Sequence, residues 1–286
     1  MTTPKKTIEL YDRFPFPNVG WLSTYDAETS GTRYLDKLGV LDKIHDQENA
    51  KVLVVGCGTG EQTIAIYCAI RKPVIATDIS KKSVECARQN AEKLGINQIG
   101  FLEDDLFDSK LPDNHFDLIV CEGVLHHTTN PKTGVFLLSK KLRKNGVLII
   151  SVYYDKGRKN IMEQRKKILA LCHNQKEIVK LSKSVYPDWS ENKIFDTFVN
   201  PIVSTHSIKE VFDWLDYSGL AYFSSNPPIE FSNQARFLFA KLKNDYFECN
   251  PMPNSFFQDL NIFFGEFGLL ASKTFLLRIA GILKNS

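Results

Sequence analysis

Val52-Leu53-Val54-Val55-Gly56-Cys57-Gly58-Thr59-Gly60 decides how this chain is read. Four apolar, mostly β-branched residues form a short buried strand. Three glycines at alternate positions follow, and Glu61–Ile70 then has the texture of a helix. Glycine lets the backbone turn tightly and lets a ligand approach it closely. The spacing separates two ligand classes. A dinucleotide fingerprint, G-x-G-x-x-G, needs its third glycine at 61, where Glu61 stands. A carboxylate at a helix N-terminus also opposes the pyrophosphate that the amides and dipole attract. No Gly-Lys-Ser/Thr follows, so the loop is not a P-loop. An adenosine-type ligand without phosphate meets neither objection.

Strand and helix textures alternate outward from the loop. Further strands are expected at Val74–Thr77, Gly100–Leu102, Phe116–Cys121 and Gly146–Tyr153, with a helix over Lys81–Leu94 capped by Ser80. The strands are almost wholly apolar, as strands of a parallel sheet covered on both faces should be. The second strand ends at Asp78, beside Ile79, where an acid accepts hydrogen bonds from a ribose diol. The third runs into Glu103-Asp104-Asp105-Leu106, a place to read an adenine amino group. Strand C-termini are where open α/β sheets bind ligands.

These segments resemble the motifs of class I S-adenosylmethionine (SAM)-dependent methyltransferases. Residues 52–60 resemble their first motif, Asp78 their ribose-binding acid and Asp105 their adenine-side acid. Phe116-Asp117-Leu118-Ile119-Val120-Cys121-Glu122-Gly123-Val124-Leu125-His126-His127 resembles their fourth-strand motif, and Leu142–Leu148 their turn into the fifth strand. The resemblance implies an α/β, Rossmann-like sheet of seven mostly parallel strands sandwiched by helices. It also implies S-adenosyl-L-methionine as cofactor, held by Gly56, Cys57, Gly58, Gly60, Asp78, Ile79, Asp105, Leu106 and Glu122. The family usually has Glu or Asp where this chain has Val54, which bears on cofactor affinity. Asn145 replaces a common glycine, and Asn tolerates the left-handed conformation.

Of the adjacent acids, Asp104 reads as a solvated loop residue and Asp105 as the adenine contact. Cys57 reads as a small residue that fits the loop. His126 and His127 are the catalytic candidates, since a neutral histidine at the cleft can take a proton from an attacking hydroxyl. The alternative is that they pack the following turn. Asn226-Pro227-Pro228 follows a late strand and runs into Ile229, so it reads as a turn rather than the Asn-Pro-Pro-aromatic motif of amino-group methyltransferases.

Residues 1–49 are expected to form an N-terminal arm, and 50–286 one SAM-binding domain with insertions at about 155–205 and 228–268. Tyr11-Asp12-Arg13-Phe14-Pro15-Phe16-Pro17 is a stiff aromatic–proline segment. It resembles the segment before the core in a group of largely uncharacterised bacterial methyltransferases, and is placed either as a lid over the cofactor or on the sheet edge. Residues 155–185 hold nine Lys/Arg against three Asp/Glu, with apolar residues at helical spacing. Such runs are usually solvated helix faces, although Arg158 and Lys159 are placed to meet an acidic substrate. Phe195–Pro201 and His206 resemble the same bacterial group. The substrate-side candidates are Tyr11, Tyr153, Arg158 and His206, with Asp196 beside them. A helix over His206–Leu220 ending at Gly219 and a strand at Ala221–Ser225 follow. The last strand is expected at Lys273–Ile282, with Ala235–Leu242 as the rival.

Composition sets outer bounds. The chain has 286 residues, 43% hydrophobic and 24% charged, which excludes a disordered or staple-dependent chain. A net charge of +3 demands no nucleic-acid partner. The six cysteines form no CxxC pair, so free thiols and no metal site are expected. The N-terminus lacks a signal-peptide apolar run, and Phe267–Leu283 is interrupted by Lys273 and Arg278, so a cytoplasmic protein without a transmembrane segment is expected. Ten of the 20 Phe lie between 231 and 275, and the cluster at 231–267 is expected to give the substrate pocket an apolar or aromatic lining. The leading reading is a SAM-dependent methyltransferase of small molecules. An RNA or protein acceptor, suggested by the basic insertion, and a non-catalytic SAM-binding protein, suggested by Val54, are the rivals.

Overall fold

The structure is a computed structural model that describes residues 4–17, 20–226, 229 and 276–283. Helices α1 (Lys5–Arg13), α2 (Thr24–Lys37) and α3 (Leu41–His45) come before the sheet. The core runs β1 (Val52–Val55), α4 (Glu61–Ile70), β2 (Val74–Asp78), α5 (Lys81–Lys93), β3 (Ile99–Glu103), β4 (Phe116–Cys121), a 3₁₀ turn at Leu125–His127, α6 (Pro131–Lys141) and β5 (Leu142–Tyr153). Then come α7 (Asp155–Leu171), α8 (Gln175–Val185), α9 (Glu191–Ile194), a π turn at Phe195–Val199, α10 (Ile208–Tyr217), β6 (Leu220–Asn226) and β7 (Leu276–Leu283).

The seven strands lie in the order β3-β2-β1-β4-β5-β7-β6, and β7 runs antiparallel to both its neighbours. Strand order reverses between β1 and β4, whose Val55 and Cys121 are in register, so the ligand crevice of the fold opens there. Side chains alternate across the sheet. Val52, Val54, Leu118, Val120, Val147 and Ile149 pack under α2–α5. Leu53, Val55, Ile119, Cys121, Leu148 and Ile150 pack on the opposite face with α6 and α10. Ser80 accepts from Ser83 N to start α5, and Ser207 forms a capping box with Glu210 at α10. Each such cap contributes about 1 kcal/mol.

The expected final strand at Lys273–Ile282 coincides with β7. The rival Ala235–Leu242, the second insertion at 228–268 and the phenylalanines at 231–275 lie outside the described residues. β5 begins earlier than expected, at Leu142, and passes through Asn145 at φ 62°, with its register against β4 shifting between Phe116 and Leu118.

The segment before the core is more than an extended arm. Ser23 caps α2, which lies so close on α4 that a Cβ on Gly31 would sit 2.0 Å from the Ala65 carbonyl oxygen. The 155–205 insertion is helical and has its own small core of Ile168, Ile194 and Phe198, backed by Tyr186 and Trp189. Arg165 is buried there and donates to the carbonyls of Thr197, Phe198 and Asn200, which a turn at its C-terminal end leaves without helical partners. Among the described residues, no helix is long and apolar enough to cross a membrane.

Candidate active site

The glycine loop is ordered without an acid at position 54. Val54 is buried in the core. Gly56 N and Cys57 N donate to Thr77 O, Gly58 N to Asp78 Oδ2 (2.8 Å), Thr59 N to Phe16 O (3.1 Å) and Gly60 N to Cys57 O. All five loop amides are therefore satisfied, four of them by groups that the first motif does not contain. The N-terminal segment lies directly on the loop: a Cβ on Gly58 would stand 2.1 Å from the Phe16 carbonyl oxygen. Glu61, at the start of α4, faces away from any phosphate role. Its carboxylate accepts from Gly20 N and Thr59 Oγ1, and its carbonyl accepts from Trp21 Nε1. Burial, then Asp78 and Glu61, push the Cys57 thiol well above its ordinary value, which makes it a packing residue rather than a nucleophile.

A cavity of about 590 Å³ opens between this loop and the strand ends, in the range that encloses a drug-sized ligand. Gly56, Cys57 and Gly58 line it from β1, Asp78 and Ile79 from β2, Asp104 and Leu106 from β3, and Glu122 to Val124 from β4. Asp78 accepts from Gly58 N and Ser80 N. Burial raises its carboxyl, and the backbone donors of Ser80 and Gly58 oppose that rise. Glu122 accepts from Tyr34 of α2 (3.0 Å) and from Arg278 of β7 (2.7 Å), both of which also line the cavity.

The far end of the cavity carries the catalytic candidates. His126 is 1% exposed, its ring stacks on Tyr153 at 3.6 Å, and neither ring nitrogen has a hydrogen-bond partner among the described residues. Burial first, then the neighbouring His127, hold it well below the ordinary histidine value and so neutral. His127 is engaged on both sides. Its Nδ1 meets the Ile202 carbonyl at 2.8 Å, and its Nε2 lies 3.2 Å from Asp196 Oδ1, a close contact outside hydrogen-bond alignment. Asp196, from the π turn, also accepts from Tyr11 (2.9 Å) and Tyr153 (2.8 Å), and Asn200 donates to Tyr11 Oη (3.0 Å). Burial alone would raise the Asp196 carboxyl, but His127, Tyr153 and His126 outweigh it and hold the group well below the usual carboxylate range.

Most of the expected site residues meet at this cavity: Gly56, Cys57, Gly58, Asp78, Ile79, Leu106, Glu122, His126, His127, Tyr11, Tyr153 and Arg158. Three do not. Gly60 turns the chain into α4 at φ 94° and packs on Ala87. The acidic pair is reversed: Asp104 lines the cavity, while Asp105 accepts from Phe107 N in a local turn. His206 lies outside because its backbone bridges the end of β5. Its ring packs on Trp214, and Nε2 bonds Ser204 Oγ. Trp21, Tyr34, Gln62 and Arg278 line the cavity without having been expected there. Only Arg278 leaves a trace in the sequence, as a lone charge in the apolar run Leu276–Leu283.

A model described as a methyltransferase domain matches residues 46–212, so the chain belongs to that family and its core is a class I SAM-dependent methyltransferase domain. Similar proteins agree on the fold. An uncharacterised protein of Synechococcus is 27% identical over 251 residues, covering 74% of this chain and 58% of its own. PKMT2 from Rickettsia typhi in complex with AdoHcy superposes with a TM-score of 0.62 at 15% identity, over 93% of this chain and 54% of that one. Magnesium protoporphyrin IX methyltransferase from Synechocystis with bound SAH superposes with a TM-score of 0.53 at 14% identity, over 98% and 95%. The chain spans about half the length of the curated relatives it matches.

The residues fit SAM. The loop can hold nothing bulkier than glycine at 56, where a Cβ would stand 2.0 Å from Val124 Cγ2. Asp78 ends β2 and Asp104 and Leu106 follow β3, all on the cavity wall, and neither a P-loop lysine nor a glycine at 61 is present to favour a phosphate ligand.

Proposed function

We propose that this chain transfers the methyl group of SAM to a nucleophile on a small molecule, with His126 as the general base. The observation that carries it is His126 itself: buried at the cavity wall, held neutral, with both ring nitrogens free of partners among the described residues. His127 has both nitrogens turned to acceptors and serves to position Asp196 and the wall. When bound, SAM supplies an electrophilic sulfonium methyl, and its transfer leaves S-adenosylhomocysteine. The residues around it hold the acceptor in line, exclude water and, for a hydroxyl acceptor, move its proton to His126. The cavity volume, and the rings of Tyr11, Phe16, Trp21, Tyr34 and Tyr153 on its wall, support a small acceptor. The basic insertion offers less to RNA than its composition implies, because Arg158 and Arg165 are buried. A purely non-catalytic role loses its motive, since the loop is fully bonded despite Val54.

Two measurements test this. Calorimetry should show SAM and S-adenosylhomocysteine binding to the wild-type chain and a loss of binding in Asp78→Ala. Incubation with labelled SAM and fractionated small-molecule extract should label an acceptor, with the rate falling about 10²–10⁴-fold in His126→Ala for a hydroxyl nucleophile. Absence of SAM binding, or equal binding by Asp78→Ala, would overturn the reading.

A further inference from the structure

Two arginines line the cavity among the described residues, and their situations differ. Arg278 is engaged by Glu122. Arg158, in the first turn of α7, is 8% exposed, and its Nε and Nη1 are buried without a hydrogen-bond partner among the described residues. Its guanidinium lies over the Tyr153 ring, 3.3 Å from the centroid. Four of the five acids that share the wall are committed elsewhere: Asp196 to Tyr11 and Tyr153, Glu122 to Arg278 and Tyr34, Asp78 to two backbone amides and Glu61 to Gly20 N and Thr59 Oγ1; the fifth, Asp104, follows β3. Arginine keeps its charge in proteins, and a buried charge with no counter-charge is costly to hold. Its neighbour Lys159 is exposed and shares none of this.

We propose that Arg158 binds a carboxylate of the acceptor, so that the substrate is a small aromatic acid. This rests on the methyltransferase reading for the cofactor half of the cavity. Stacking on Tyr153 covers one flat face of the guanidinium and leaves Nε and Nη1 without a partner among the described residues, the geometry that suits a planar two-oxygen group. One unpaired guanidinium compensates one negative charge. A phosphate dianion would call on a second cation, and Arg278 is already paired. The remaining wall offers Tyr11, Phe16, Trp21 and Tyr34 to a ring. Tyr153 carries both His126 and Arg158 against its ring, so a single side chain sets the spacing between base and anion site.

The test uses the full chain. S-adenosylhomocysteine is titrated first, by calorimetry. The loaded protein is then titrated with 4-hydroxybenzoate, 4-hydroxybenzamide and 4-hydroxyphenylphosphonate, and the series is repeated with Arg158→Met and Arg158→Lys. The acid should bind roughly ten- to a hundredfold more tightly than the amide. Arg158→Met should erase that preference, and Arg158→Lys should keep part of it. Equal binding of acid and amide, a preference that survives in Arg158→Met, or tighter binding of the phosphonate overturns the carboxylate site. If Arg158→Met does not fold, the three-ligand comparison on wild type decides alone. S-adenosylhomocysteine binding without acid preference sinks only the carboxylate site. Failure of S-adenosylhomocysteine to bind sinks the cofactor reading and this one together.

Discussion

At the scale of single residues, the two adjacent histidines divide the work by what each nitrogen faces. His126 is kept neutral by burial, so the unfolded chain takes up a proton below about pH 6.5 that the folded chain refuses. Its contribution to stability is therefore complete above that pH and is lost as pH falls. Each unit of fall costs at most about 1.4 kcal/mol for one such group. His126→Phe keeps a ring against Tyr153 but removes the proton uptake, so its denaturant-derived stability should fall less than that of wild type between pH 6.5 and 5. Asp196 obeys the same rule in a lower pH window. Its carboxyl is held low, so its contribution is present above the ordinary carboxyl value and disappears as pH falls through and below about 4. Asp196→Asn should cost about 3–5 kcal/mol at neutral pH, as for a buried pair that loses one partner. The gap to wild type should narrow in urea unfolding below pH 4.

At the scale of elements, the N-terminal segment and the insertion meet over the cavity. Phe14 stacks on Phe195 at 3.7 Å, Asn192 Nδ2 donates to the Pro15 carbonyl, and Tyr11 reaches Asp196. Tyr11→Phe removes one hydrogen bond to a carboxylate, worth about 1.5–3 kcal/mol. Amide exchange in residues 5–13 should then quicken while that of β1 and β4 stays unchanged. Arg165 holds the π turn from below. Arg165→Ala leaves three carbonyls without their donor, so limited proteolysis should begin within 155–205 before the sheet is cut, and methyl transfer should fall with it. The lid role of residues 1–49 is itself a proposal: exchange in α1 should slow further when S-adenosylhomocysteine is added.

At the scale of the whole molecule, the parts legible in the sequence are those with a strong local signature. The buried strands are continuous apolar runs, the loop has its glycines, and β7 stands out as apolar between charged neighbours. Helix α2 was not legible because its buried residues, Ala27, Gly31 and Leu35, recur every four positions but are mostly small, so no apolar stripe forms. Only the close packing on α4 shows why glycine stands at 31. The choice between Asp104 and Asp105 was not legible either, since adjacent side chains at a strand end diverge according to a turn that forms only in three dimensions. Tyr34, Trp21 and Arg278 reach the cavity through the packing of α2 and β7, which no local pattern encodes. β7 bridges β5 and β6, pairing Val147 with Ile282 and Ala221 with the same residue. A chain ending at 275 should therefore lose its cooperative thermal transition in circular dichroism.

The ion pair between Glu122 and Arg278 joins residues 156 positions apart. During synthesis the glycine loop, Asp78 and Glu122 leave the ribosome long before Arg278 does. Until β7 docks, Glu122 has no cation and the cavity lacks a wall. Copies that lack β7 are therefore expected to bind SAM more weakly, which calorimetry on a chain ending at 275 would read.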